Sequence, residues 1–352
     1  MKALIFNGKT AEYRENVPIP EPADGQSLIR VLLANVCSTD REILKGYRPD
    51  FTGIMGHEFV GEVVESGDAS LVGRLVVGEL NEGCGHCLYC RTGREKHCLD
   101  RRVIGMSKDG CFAEYMTLAT HLLHVVPEGL PPEKAVFAEP LAAALEITEQ
   151  VKIDPSLNAA VIGDGRLGFM CAQVLVLTGV DLTVIGHHPD KLKMFKPYAK
   201  TRLASDYTLT APAGEAVSAC SGVPGETVSA GSGVPGCGAV LPVYRDLTAD
   251  ECFEYVVEAS GAPGGFDLAM NIVRKMGTII LKSTYAGKKE LDMSLIPVNE
   301  IKVVGSRCGP FEPALKLLAE GKVSFPDVEL YDLKDWQKAF GSGAFKAGFD
   351  FR

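Results

Sequence analysis

The chain has 352 residues, which at roughly 150 residues per domain suggests two domains. Its 46% hydrophobic and 23% charged residues are globular proportions and exclude wholesale disorder or a fibrous repeat. The formal charge of −9 argues against nonspecific binding to nucleic acid or an anionic membrane, and no apolar run approaches the roughly 20 residues of a membrane helix. The opening stretch from Met1 to Lys9 reads as a short strand and a turn rather than a signal peptide, so the expectation is a soluble, cytoplasmic protein.

Up to about Glu139 the sequence is rich in Val, Gly and Pro. Short apolar runs at Ser27–Ala34, Val60–Glu65 and Leu75–Gly78 are broken by Gly-containing turns and predict a β-rich domain. Thereafter strands and helices alternate. A helix is expected over Ala142–Val151, a buried strand over Ala159–Ile162 and an apolar helix over Leu167–Leu177. A second strand at Leu182–Ile185 leads to a helix from Pro189 to Tyr198, where Pro189 suits the first turn because its missing N–H would be unpaired there anyway. Further strands are expected at Tyr255–Glu258, Thr278–Leu281 and Val303–Gly305. This order implies an α/β domain with a parallel sheet. One segment breaks the pattern: Gly214–Pro224 and Gly225–Pro235 are near copies of each other, and read as a duplicated surface loop built on Pro-Gly turns.

There are eleven cysteines, an odd number, and Cys84, Cys87, Cys90 and Cys98 crowd into fifteen residues. In a reducing compartment such spacing favours one tetrahedral metal ion, zinc above all, over disulfides. Four thiolates leave no open position, so this site is expected to be structural. Cys111, Cys171, Cys220, Cys237, Cys252 and Cys308 read as small apolar or incidental residues.

A second constellation is chemically different. Cys37-Ser38-Thr39-Asp40 precedes Gly56-His57-Glu58 by about twenty residues, and Glu139 stands where the two halves meet. One thiolate, one imidazole and a carboxylate suit a catalytic zinc that keeps an exchangeable position. Asp40 is placed to accept the second N–H of His57, and Thr39 to pass a proton. A buried structural cysteine and histidine with surface acids would give the same letters.

The third motif is Gly163-Asp164-Gly165-Arg166-Leu167-Gly168, a G-x-G-x-x-G turn between a strand and an apolar helix, the context in which it binds a dinucleotide pyrophosphate. An acid at the end of the second strand would bind the ribose 2′-hydroxyl of NAD, but Gly186 occupies that slot. His187, His188 and Lys191 follow it and are suited to a 2′-phosphate, so NADP is expected to serve at least as well as NAD.

Taken in order, these pieces resemble the zinc-containing medium-chain dehydrogenase/reductase family of alcohol, sorbitol, threonine and glucose dehydrogenases. The resemblance runs through CSTD at 37–40, GHEFVGEVVESG at 56–67, the cysteine quartet, DGCFAEYM at 109–116, EPLAAAL at 139–145, the glycine turn, EASG at 258–261 and GSRCGPF at 305–311. It implies a GroES-like catalytic domain over 1–142, a Rossmann coenzyme domain over 143–306 and a return to the catalytic domain over 307–352. It also implies two zinc ions per chain, with Cys37, His57 and either Glu58 or Glu139 at the catalytic one. Thr39 matches the hydroxyl of the proton relay, while Glu42 lies near the slot of a relay histidine found in some relatives. Ser260 and Arg307 join the expected coenzyme contacts. The implied activity is hydride transfer between a primary or secondary alcohol or polyol and NAD(P), in a homo-oligomer. A catalytically silent zinc- and dinucleotide-binding sensor, or a lyase using the coenzyme transiently, are the alternatives.

Overall fold

The protein is described by a computed structural model over residues 1–207, 247–248, 251–284 and 291–352. The duplication at 214–235, with Cys220 and Cys237, lies outside the described residues. Two compact units divide the chain: Met1–Lys152 with Ser306–Arg352, and Ile153–Gly305.

The first unit opens with β1 (Ala3–Phe6), β2 (Ala11–Arg14) and β3 (Gln26–Asn35), then α1 (Ser38–Leu44), β4 (Gly53–Ile54), β5 (Glu58–Ser66) and β6 (Leu75–Gly78). It continues with β7 (Asn81–Glu82), α2 (Leu88–Arg91), β8 (Arg102–Val103), β9 (Tyr115–Ala119), β10 (Leu123–Val125), α3 (Pro132–Ala135) and α4 (Ala138–Gln150). Over most of its length β3 alternates partly exposed and buried residues, with Ile29, Val31 and Leu33 inward, the period-two pattern of a strand with one face on the core. Antiparallel pairing of β3 with β5 sets Asn35 opposite Glu58. The end of β3, and Cys37 just beyond it, therefore lie beside the start of β5 and His57 just before it.

The second unit carries β11 (Asn158–Ile162), α5 (Arg166–Leu177), β12 (Asp181–Gly186), α6 (Pro189–Leu192), β13 (Lys200–Leu203) and β14 (Phe253–Glu258). It closes with α7 (Pro263–Ile272), β15 (Val273–Leu281), α8 (Leu295–Val298) and β16 (Lys302–Gly305). Its six strands run in the order β13-β12-β11-β14-β15-β16, and every neighbouring pair is parallel. This is the doubly wound Rossmann order, whose switch point between β11 and β14 opens a ligand crevice at the carboxyl ends of the strands. The helix expected from Pro189 to Tyr198 is regular only as far as Leu192. The chain then turns to bury Phe195 against Phe169, with ring centroids 5.3 Å apart.

The chain returns to the first unit with α9 (Phe311–Ala319), β17 (Val328–Tyr331), α10 (Trp336–Gly341) and β18 (Lys346–Asp350). β18 pairs antiparallel with β3, Gly348 facing Asn35, and its Phe349 ring meets Phe112 edge-on at 4.9 Å in the core. The boundary expected after residue 142 falls after Lys152, because α4 packs on β5, β6 and α9 and so completes the first unit.

Candidate active site and coenzyme turn

Three strands deliver the mixed cluster. β3 ends two residues before Cys37, β5 begins at Glu58, and β18 begins at Lys346. Gly56 makes the turn into β5 with φ +92°, and a Cβ there would overlap the Phe112 ring, so glycine is required just ahead of His57. The ligand atoms of Cys37, His57 and Glu58 all lie within 4.8 Å of one another, and His57 and Glu58 are buried. Glu139 is outside this close set; it sits in the first turn of α4.

Asp40 is fully buried and does two things. Its Oδ2 accepts the Cys37 N–H at 2.8 Å, fixing the start of α1, and its Oδ1 lies 3.4 Å from His57 Nδ1. That leaves Nε2 of His57 for the cluster. Burial opposes a charged His57 ring, but the charges of Asp40 and Cys37 overcome it and push its pKa well above the ordinary histidine value. A site that draws a proton onto a buried imidazole in this way also favours a cation of higher charge. Thr39 places Oγ1 3.7 Å from Cys37 Sγ. Glu42, near the relay slot, pairs with Lys45 at 2.8 Å on the surface.

The sequence did not point to Lys346. Its ammonium is buried against Glu58, 2.8 Å from Oε1 and 2.5 Å from Oε2, with the directed hydrogen bond on Oε1. Oε2 is left without a directed hydrogen bond. A lysine 288 residues away along the chain can be seen as a partner only through the β3–β18 register.

The cysteine quartet forms the second cluster, its four sulfurs also within 4.8 Å. Cys87 Sγ is 3.5 Å from Cys90 Sγ and 3.7 Å from Cys98 Sγ, and no disulfide joins them. The Cys90 N–H pulls the Cys87 thiol down to about 6, while burial and the neighbouring sulfurs push Cys90 up to about 12. Four thiols so close cannot all ionise without a cation, and a four-sulfur tetrahedral ion fits the set. His86 and His97 are exposed, as expected.

The glycine turn is built as its motif requires. Gly163 has φ +125°, and a Cβ there would come 2.5 Å from Ala259 O; a Cβ on Gly168 would strike Gly163 O. Gly165 caps α5 with open space where a Cβ would stand, which lets a pyrophosphate approach the N-terminus formed by Arg166 and Leu167. Ser260 follows β14 on the other side of the switch point, its Oγ donating to Glu258 Oε1 at 2.5 Å. β12 ends at Gly186, without a carboxylate of its own, as expected, but one reaches it from the glycine turn. Asp164 accepts the His188 N–H through Oδ2 at 2.7 Å and lies 3.0 Å from His188 Nδ1, and a Cβ on Gly186 would meet the same Oδ2 at 2.5 Å. The carboxylate comes from the glycine turn rather than from the strand. Burial raises the Asp164 pKa, but the His188 contacts and the Lys191 charge outweigh it and hold the group ionised below the usual carboxylate range. His187 and Lys191 are exposed beside it. Arg307 belongs to the first unit, where its Nη2 donates to Lys96 O at 2.7 Å.

A β-rich unit with an open mixed cluster and a closed four-sulfur loop, followed by a Rossmann unit with an intact glycine turn, defines a zinc-type dehydrogenase. The alcohol dehydrogenase GroES-like domain family matches residues 23–128. Sorbitol dehydrogenase of Halalkalibacterium halodurans is 29% identical, over 99% of this chain and 97% of its own. D-arabitol-phosphate dehydrogenase of Enterococcus avium is 26% identical, over 92% of this chain and 88% of its own. The crystal structure of a provisionally named zinc-binding dehydrogenase from Sinorhizobium meliloti 1021, bound to NADP, superposes with a TM-score of 0.79 at 26% identity, covering 99% of this chain and 98% of that one. Over nearly its whole length the chain is thus similar to zinc-type dehydrogenases, and its first unit carries the alcohol dehydrogenase GroES-like domain.

Proposed function

We propose that the chain is a zinc-dependent NAD(P) alcohol or polyol dehydrogenase with one catalytic and one structural zinc, acting in the cytoplasm as a homo-oligomer. The observation that carries this reading is the convergence of Cys37, His57 and Glu58 at one end of a sheet, with Thr39 beside them. Bound zinc and nicotinamide would supply a lowered hydroxyl pKa and a hydride acceptor. The protein's own residues do the rest. Asp40 orients His57, Lys346 holds the Glu58 carboxylate in place, and Thr39 takes the proton of the substrate hydroxyl. Cys84, Cys87, Cys90 and Cys98 hold the structural ion. The test is nicotinamide absorbance with a panel of alcohols and polyols in the zinc-loaded protein; no turnover with any of them and either coenzyme would reject it.

The coenzyme preference follows from Asp164. The expectation that NADP serves at least as well as NAD rested on the missing acid at Gly186. The Asp164 carboxylate occupies the space a side chain at 186 would fill and engages His188, so it meets a ribose 2′-hydroxyl better than a 2′-phosphate. The reading is therefore that NAD serves at least as well as NADP. Asp164→Asn should shift the ratio of kcat/KM, NADP over NAD, upward by about tenfold, or roughly 1.4 kcal/mol. Fluorescence-titrated Kd values for the two reduced coenzymes should move the same way. An unchanged ratio would remove Asp164 from coenzyme selection. Gly186→Asp cannot serve as the test, because its Cβ would collide with Asp164.

A further inference from the structure

Asn35 is fully buried, and neither end of its amide has a hydrogen-bond partner among the described residues. An amide left unpaired in the interior costs stability, so its presence calls for an account. The strand register shows what surrounds it. Asn35 is the last residue of β3, and β3 lies between β5 and β18 in the sheet. It stands opposite Glu58 on β5 and opposite Gly348 on β18. Register partners of an antiparallel pair point to one face, with Cβ atoms about 4.5–5.5 Å apart. The Asn35 amide and the Glu58 carboxylate therefore share one side of the sheet. Gly348 leaves room for the amide, since a Cβ there would come 2.7 Å from Asn35 Oδ1.

Lys346, two residues before Gly348 on β18, projects to the same face. Its side chain reaches Glu58 across β3, bridging outer strands that stand roughly 9–10 Å apart, and the bridge passes where Asn35 stands. Three polar groups thus share one buried place. An ammonium carries three donors, and the two oxygens of Glu58 can occupy two of them. Glu58 Oε2 lies 2.5 Å from the ammonium yet lacks a directed hydrogen bond. Asn35 has a carbonyl to offer the ammonium and an N–H to offer the carboxylate. Glu58 is also one of the three side chains of the mixed cluster, so a donor that competes for its carboxylate competes with the metal.

We propose that Asn35 is a positioning residue of the mixed cluster, whose Nδ2 donates to the Glu58 carboxylate when that group turns away from the metal, so that Asn35 loosens the hold of Glu58 on the ion and speeds the reaction there. An amide that stays unpaired while Glu58 is turned elsewhere is then the stability cost of an exchangeable position. The effect on turnover rests on the dehydrogenase reading above, whereas the effect on metal retention stands apart from it.

The experiment uses the zinc-loaded full chain with Asn35→Leu, which is close to the amide in shape and removes both polar ends. Asn35→Val, smaller and suited to a strand, carries the same expectation should the leucine fail to fold. Zinc release to a colorimetric chelator is timed with neither coenzyme nor substrate present, and the phase that Cys37→Ser lacks is assigned to the mixed cluster. Melting temperature and turnover are measured on the same preparations. The expected result is that this phase slows about tenfold and kcat/KM falls about tenfold, while the melting temperature stays at or above wild type. A residue that merely supports the cluster would instead make retention and turnover fall together, and that result overturns the proposal. Release at the wild-type rate overturns it whatever happens to turnover, and so does slower release from variants that turn over as fast as an active wild type. Failure of both variants to fold would show that Asn35 holds the sheet together, and overturns it too. If wild type turns over no alcohol and release still slows in the variants, the dehydrogenase reading fails and the assignment of Asn35 to the metal cluster survives.

Discussion

The two candidate metal clusters of the first unit are assembled in opposite ways. The four-cysteine loop is local: its ligands fall within Cys84–Cys98 and its sulfurs close on one another with little help from elsewhere. The mixed cluster is assembled by strand register, from the end of β3 and the start of β5, with Lys346 at the start of β18 against its carboxylate. The first can hold its ion whenever its own loop is formed. The second depends on the pairing of β3 with β5, and its carboxylate is shared with a buried ammonium from a strand at the far end of the chain. A closed local site stabilises structure, whereas an open long-range site can exchange ligands during a reaction.

Lys346→Met should have the largest effect. It leaves the Glu58 carboxylate buried without its partner, a change that costs about 3–5 kcal/mol when one member of a buried pair is removed. The loss should be smaller in the zinc-loaded protein than in the chelated one, because the metal can take over the carboxylate. Equal destabilisation in both forms, measured by urea unfolding, would show that Glu58 does not face the metal.

Next comes the contrast between Cys37→Ser and Cys90→Ser. Cys37→Ser should lower kcat/KM by about a hundredfold while leaving the melting temperature close to wild type, since losing even a group that only orients a metal ligand typically costs roughly 10–100-fold. Cys90→Ser should lower the melting temperature while the surviving folded fraction keeps its turnover. The reverse pattern would exchange the roles of the two clusters.

The smallest effect separates two acids. Glu58→Gln should weaken zinc retention as well as turnover, whereas Glu139→Ala should slow turnover by about tenfold with zinc content unchanged. Zinc loss from Glu139→Ala equal to that from Glu58→Gln would place Glu139 among the resting ligands.

What could be read from the sequence follows the same division. The cysteine spacing and the glycine turn are local, so their letters predicted their geometry, down to the positive φ of Gly163. Cys37, His57 and Glu58 were legible as a candidate set, because only their chemistry, not their distance, had to be read. Lys346 was not, since nothing in its neighbours marks a lysine that a sheet register buries. Asp164 was hidden for a related reason: the acid at the end of β12 was sought on the strand, and the fold supplies it from the facing turn. The helix after Pro189 was overestimated because Phe195 is drawn inward before a second turn can form. Arg101 and Arg307, which both donate to Lys96 O, come from separate segments, and their meeting is a property of the folded chain alone.

The central claim is that one ion serves catalysis and another serves structure. Its most direct test is a chelator titration of the full-length protein, with bound zinc, coenzyme-linked turnover and far-UV circular dichroism followed on the same samples. About two zinc ions per chain should be present at the start, and loss of the first should abolish turnover while the fold signal stays constant. Turnover that survives loss of the first ion, or two ions that leave together only as the protein unfolds, would contradict the account.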